Sequence, residues 1–245
     1  MNIFGLTDIG AVRKDNQDSY AIRVFDESFA VTVVCDGMGG AQAGNVASAI
    51  AVETFCAAIE AAAKDGIPKD IQTRREILAD ACKQANSKVF ERSVSALEYE
   101  GMGTTLVAAM ICPNEIHVVN VGDSRCYLIN KENAHQITLD HSLVQVLVER
   151  GEITPEQART HPKKNLITRA LGVDSHVLSD PYRVPREEGD WILLCSDGLS
   201  NVIPDDMLYA EILKAENPEE CARRLLAITM EDGAPDNVTI VLAQL

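Results

Sequence analysis

The chain has 245 residues, 46% hydrophobic and 24% charged, enough to bury a sizeable core in one large domain or two small ones. Lysine and arginine number 22 against 37 aspartates and glutamates, a net charge of −15. Such a surface repels nucleic acid and anionic membranes, so neither is expected as a partner, and the acidity serves either solubility or a place where cations bind.

Strand patterns open the chain at 3–8, at "SYAIRVF" (19–25) and at "SFAVTVVCD" (28–36), with no basic leader or signal-type apolar stretch before them. Helical patterns follow at about 43–63 and 70–94, divided by "KDGIP". The first is apolar but carries Glu53 and Glu60, so it reads as a packed helix and not a membrane span. Four strand patterns come next, "GTTLVAAMIC", "EIHVVNVG", "SRCYLIN" and "AHQITL". Their connections are too short for crossover helices, so antiparallel pairing is expected. The stretch 141–172 interrupts this run. "HSLVQVLVERG" is a short amphipathic helix stopped by Gly151, and "TPEQ" offers Thr154 as N-cap, Pro155 at the first helical position and Gln157 to close a capping box. An inserted helical flap is predicted there. Strands return at "HVLSDPYRV" and "DWILLCSD", helices at about 204–214 and 217–231, and the last strand at 237–244. Strands and helices in separate runs indicate an α+β class, with layered sheets and helices outside.

Seven cysteines, without a C-x-x-C pair, point to buried thiols in a reducing compartment, and a soluble cytoplasmic protein is expected. Cys35 and Cys195 lie near the aspartates singled out below, where oxidation could disturb them; small inert strand residues is the simpler reading. His141 and His161 flank the flap and are read as structural, and Trp191 as core.

Asp36, Asp123 and Asp197 each close an apolar strand pattern beside a glycine, while Asp18 and Asp236 each stand just before one. In antiparallel sheets, strand exits and neighbouring strand entrances share an edge, so the five carboxylates can meet. Any one of them is more often a turn residue. Five at matching addresses, with only oxygen donors nearby, favour a hard cation such as Mg²⁺ or Mn²⁺. A dinucleotide loop starting at Gly37 is rejected, because Gln42 stands where a third glycine is needed and no βαβ unit surrounds it.

"TDIGAVRKDNQDSY", "VVCDGMGGAQAG", "GMGTTLVAAMI", "VVNVGDSRCYLI", "ITLDHSLVQVLVERGEI", "HPKKNLITRALG", "ILLCSDGLSNVI" and "APDNVTIVL" occur in that order. Together they resemble the metal-dependent type-2C Ser/Thr protein phosphatases in their compact bacterial form, across essentially the whole chain. The resemblance implies one domain over 1–245 with a flap at about 141–172: a four-layer αββα sandwich of two antiparallel sheets flanked by helices. It implies two core Mn²⁺ or Mg²⁺ ions, with a third in bacterial members. Asp36 would bridge the core ions and Gly37 lend its carbonyl to one, while Asp197 and Asp236 complete the other. Asp18 would hold the waters around the ions, Asp123 would serve the third ion, Arg13 would clamp the phosphate, and Asn237 would support the loop carrying Asp236. The ions would activate a water for in-line attack on phosphorus, so no protein nucleophile is needed. Consistently, the C-x-x-x-x-x-R, G-x-S-x-G, Walker A and H-E-x-x-H signatures are absent.

Two departures bear on the chemistry. Gln17 stands where many members carry glutamate, which lowers the charge available to the second metal. Met38 stands where eukaryotic members carry a histidine acid, and Ala41 and Gln42 nearby cannot serve, so no general acid is assigned. Lys163, Lys164 and Arg169 form a basic cluster in the flap, either a grip for acidic phosphoprotein segments or an ordinary solvated face. The expected partners are phosphoserine and phosphothreonine proteins and a cognate Ser/Thr kinase. The alternatives are a small-phosphoester hydrolase and a catalytically weak metal-binding module.

Overall fold

The computed structural model describes residues 1–39, 43–64, 66 and 68–245. Gly40, Ala41 and Gln42 of the glycine turn, and Asp65 and Ile67 of the "KDGIP" turn, lie outside the described residues.

Two antiparallel sheets stack face to face. One orders β1 (Asn2–Asp8), β11 (Val238–Gln244), β10 (Trp191–Cys195), β7 (Arg125–Ile129) and β8 (Ala134–Gln136). The other orders β2 (Asp18–Val24), β3 (Ala30–Met38), β5 (Leu106–Ile111), β6 (Glu115–Val121) and β9 (Asp180–Pro185), with the two-residue β4 (Gly103–Thr104) paired to the end of β3. Helices α1 (Ala43–Ala62) and α2 (Ile71–Ser93) cover the second sheet, and α6 (Asp205–Lys214) and α7 (Pro218–Glu231) the first, giving the αββα layering.

The two-residue period of a strand explains why the inner strands are apolar throughout. In β5, Leu106, Ala108 and Met110 face α1 and α2, while Val107, Ala109 and Ile111 face the opposite sheet. Likewise Trp191, Leu193 and Cys195 of β10 pack under α6 and α7, and Ile192 and Leu194 point between the sheets. Helix α1, among the described residues the one long and apolar enough to cross a membrane, turns Ala47, Ala51, Phe55 and Ile59 into the core. All seven cysteines are free and buried, and Trp191 is a core residue.

One expected pairing fails. β6 and β7 are consecutive but lie in different sheets, β6 beside β9 and β7 beside β10. The three residues between them do not fold back as a hairpin. Gly122 takes a φ of +109°, open to glycine, and its bare Cα lies against Thr105, where a Cβ would sit 2.5 Å from the Thr105 methyl. Asn120 Nδ2 ties the turn down by donating to the carbonyls of Gly122 and Leu139. The chain therefore steps across the sandwich, carrying Asp123 with it.

The insertion between β8 and β9 holds α3 (Leu143–Glu149) and α4 (Pro155–Thr160). The capping box is present, with Thr154 and Gln157 bonded to each other's backbone and Pro155 opening the helix.

Candidate active site

Strand register brings Asp18 and Asp36 together as direct cross-strand partners. Asp36 does not close its strand, because β3 runs on to Met38 by pairing Gly37 and Met38 with β4. The Asp36 backbone is fixed from both sides: its N–H donates to Thr105 Oγ1, and its carbonyl accepts from Thr104 Oγ1 and the Thr105 N–H. Asp197 also differs from its expected place, opening a one-turn helix α5 (Asp197–Ser200) two residues past the end of β10. Glycine is required next to both. A Cβ on Gly37 would run into the carbonyl of Gly44, and one on Gly198 into the carbonyl of Asn237.

A chain of hydroxyls joins the sheets behind the carboxylates. Asp18 Oδ2 accepts from Ser196 Oγ and Thr239 Oγ1, each at 2.7 Å, from the opposite sheet. Thr239 in turn accepts from Thr7, and Thr7 from Asn16 Nδ2. Asn237 fastens the entrance of β11: its Nδ2 donates to the carbonyls of Ile9 and Asp15, and its Oδ1 accepts from the Gln17 N–H. Thr105, Ser196 and Thr239 were not singled out from the sequence. Their one signal was a hydroxyl inside an otherwise apolar strand.

Arg13, Gln17, Asp36, Gly37, Asp123, Asp197, Asp236 and Asn237 all line one cavity of about 210 Å³, with Asp18 just behind it. Burial, then repulsion from Asp18 and Asp197, pushes the Asp36 carboxyl well above its usual range. Burial and the Asp236 charge push Asp197 up to about 6, partly offset by the Arg13 and Lys164 charges. Asp18 is pushed up to about 6 chiefly by burial, against its two hydroxyl bonds, and Asp123 is raised by burial and by Asp197.

Crowded carboxylates of this kind attract cations. Among the described residues no three acidic, His or Cys side chains already converge on one point, and Arg13 Nη2 holds Asp236 Oδ2 at 2.6 Å. The donor set nonetheless fits a hard divalent ion. All its ligand atoms are oxygens, and Asp18 Oδ1 and Asp197 Oδ1 are buried with no hydrogen-bond partner among the described residues.

The basic cluster divides. Arg169 is committed to Asp180 at 2.7 Å and approaches His141 Nε2, so it does not offer a free charge to a substrate. Lys163 and Lys164 line a separate cavity of about 350 Å³ in the flap, and Lys164 also lines one of about 500 Å³ that reaches Asp123 and Asp197. His141 is a buried joint. Its Nδ1 accepts from the Gly122 N–H, its Nε2 meets Asp180, and its carbonyl accepts from Thr168. His161 Nδ1 accepts from the Lys163 N–H within the flap.

A family model described as Protein phosphatase 2C matches residues 11–229. The serine/threonine phosphatase stp of Listeria monocytogenes serotype 4b (strain F2365) is 38% identical over 239 residues, 97% of this chain and 93% of the relative. The crystal structure of Stp1 from Staphylococcus aureus superposes with a TM-score of 0.92 at 34% identity, covering 99% of this chain and 94% of its own. The catalytic domain of the phosphatase PstP, solved in complex with two manganese ions, gives a TM-score of 0.84 at 35% identity, covering 99% and 97%.

Proposed function

The chain belongs to the protein phosphatase 2C family and is a metal-dependent Ser/Thr protein phosphatase, and on that premise we propose that the carboxylate cavity is its reaction centre, holding two core Mn²⁺ or Mg²⁺ ions. Asp36, the Gly37 carbonyl, Asp197 and Asp236 would hold the core ions. Asp123, sharing the cavity with Asp197, is assigned to a third ion, and Asp18 to the waters around the core pair. When bound, such ions supply Lewis acidity, activating a water and neutralising phosphoryl charge.

The protein's own groups do the rest. Thr104 and Thr105 fix the Asp36 backbone, and Ser196 and Thr239 hold Asp18 in one orientation. Arg13 is half exposed at the cavity, free to exchange Asp236 for a phosphoryl oxygen and to orient the ester through a charge-assisted bond. Gln17 lines the same cavity with a neutral amide. Lys163 and Lys164 are assigned to attracting acidic segments of the substrate. The substrates are phosphoserine and phosphothreonine proteins made by a cognate Ser/Thr kinase in the cytoplasm.

The observation that carries this reading is the meeting of Asp36 from β3, Asp123 from the β6–β7 step, Asp197 from α5 and Asp236 from the approach to β11 in one small cavity. Its test is phosphate release from a phosphothreonine peptide against Mn²⁺ concentration, for the wild type and Asp236→Asn. Metal-dependent turnover that collapses in the variant is expected. Turnover indifferent to chelator and substitution would place the chemistry elsewhere. Hydrolysis of p-nitrophenyl phosphate without any of the peptide would make the protein a small-phosphoester hydrolase.

A further inference from the structure

We propose that an apolar groove beside the reaction cavity is a subsite for an apolar side chain of the phosphoprotein segment itself. The enzyme would then favour phosphoserine or phosphothreonine with Leu, Ile, Met or Phe within about three residues, a reach of ~10 Å of extended chain. This rests on the reading of the carboxylate cavity as the reaction centre.

The groove measures about 530 Å³, and Met38, Leu166, Ile167, Val173, Val177 and Leu178 supply its apolar lining. It is continuous with the reaction cavity: Met38, Asn165 and Ile167 line both. Met38 is two residues beyond Asp36 on the same strand. Its side chain and that of Val173 meet over the bare Cα of Gly103, where a Cβ would lie 2.7 Å from Met38 Cε and 3.2 Å from Val173 Cγ2. The groove's floor is thus built from the strand end that also carries the carboxylates.

Three of its large side chains are left in water: Leu178 is 76% exposed, Val173 52% and Leu166 51%. A single exposed leucine needs no explanation. Three around one groove, at the mouth of a reaction cavity, mark a surface that is covered during work.

The polar groups of the rim do not compete for this role. Arg169 is bonded to Asp180, and His176 to the Ser175 hydroxyl. Asp174 adds a carboxylate that disfavours acidic neighbours. The occupant follows from continuity. A segment whose phosphoryl group sits in a 210 Å³ cavity must lay its next residues across the rim, and on this side the rim is Met38 and Ile167. On the other side the cavity of about 500 Å³ mixes Asp140, Asp205, Asp206, Arg159 and Lys164 with Val144, Val148 and Pro155, so an apolar side chain there would lie among charges.

The test uses phosphothreonine peptides identical except for Leu or Ser at each position from three before to three after the phosphoresidue. They are assayed with the wild type and with the double variant Leu166→Ser/Leu178→Ser, and p-nitrophenyl phosphate serves as an ester without flanks. Both leucines are exposed, so the variant should fold. At one or more positions the wild type should prefer Leu by ~10-fold in kcat/KM, mainly through KM. The variant should lose that preference and hydrolyse p-nitrophenyl phosphate as before. Equal turnover of Leu and Ser peptides at every position would overturn the subsite and leave the phosphatase reading intact. Hydrolysis of p-nitrophenyl phosphate alone would overturn both. A concentration-dependent dimer abolished by the double variant, with no peptide preference, would assign the groove to a second copy of the chain.

Discussion

Around the carboxylates, hydrogen bonds join residues far apart in the chain: Ser196 to Asp18, Thr239 to Asp18 across 221 positions, and Gln17 to Asn237 across 220. In residues 141–172 many of them join near neighbours instead, as between Thr154 and Gln157, His161 and Lys163, or Lys163 and Leu166. Longer ties fasten the segment at its two ends, through His141, through Leu143 to Leu166, and through Leu171 to Thr104 and Gly172 to Asn86. Both regions border the reaction cavity, since Asn165 and Ile167 of the segment line it with Asp36 and Asp197. The difference separates two tasks. Carboxylates that must act together are fixed by the docking of two whole sheets, while the wall that meets varied substrates is built from local turns strung between fixed ends.

The largest break in this comparison should come from Asp36→Asn. Turnover should fall by ~10³-fold, the scale of losing a preorganised charge at a reacting centre. Replacing a buried carboxylate that its like-charged neighbours also repel should raise the melting temperature of chelator-treated protein. A lower melting temperature would mean that the carboxylates are not in conflict.

Two glycines sharpen it next. Gly198→Ala drives a methyl into the Asn237 carbonyl, and should cost about 2–3 kcal/mol and the activity with it. Gly151→Ala in the flap has open space but a φ of +70°, and should cost about 1 kcal/mol with turnover intact. Calorimetry with a peptide assay checks both, and equal loss of activity would dissolve the distinction.

The smallest effect tests the joint between the regions. Burial lowers the His141 pKa below its ordinary 6.5, with Asp180 opposing and Arg169 assisting. The unfolded chain therefore takes up the proton first as pH falls, so this group withdraws stability on acidification. Asp18 and Asp197, both near 6, act in the opposite direction over the same range, so the difference between variant and wild type is what matters. From about pH 7 to about pH 5.5, chelated His141→Asn should lose ~1–2 °C less in melting temperature than the wild type. An equal or larger loss would show that His141 is protonated in the fold.

Much of this was legible in the sequence. Apolar runs gave the inner strands, Thr154 and Gln157 gave the cap of α4, and strand-end aspartates pointed to one edge of the fold. What was missed depends on long-range register. The step from β6 to β7 across the sandwich reads locally as a hairpin, because the contact that prevents it is made by distant Thr105 against Gly122. The partners of Asp18 are hydroxyls from the other sheet's side, Thr239 in β11 and Ser196 just past β10, and no local pattern announces which Ser or Thr will face it. Arg169 was grouped with two lysines as free charge, because Asp180, its partner eleven residues on, belongs to a different element.

β11 lies between β1 and β10, pairing Gln244 with both Asn2 and Trp191. β11 is therefore the strip that joins the two halves of its sheet, and the same strand brings Thr239 to Asp18 and has Asp236 at its entrance. Loss of that one strand's pairing would part the sheet and release the clamp on Asp18 together, so the sheet and the reaction centre share a single point of failure.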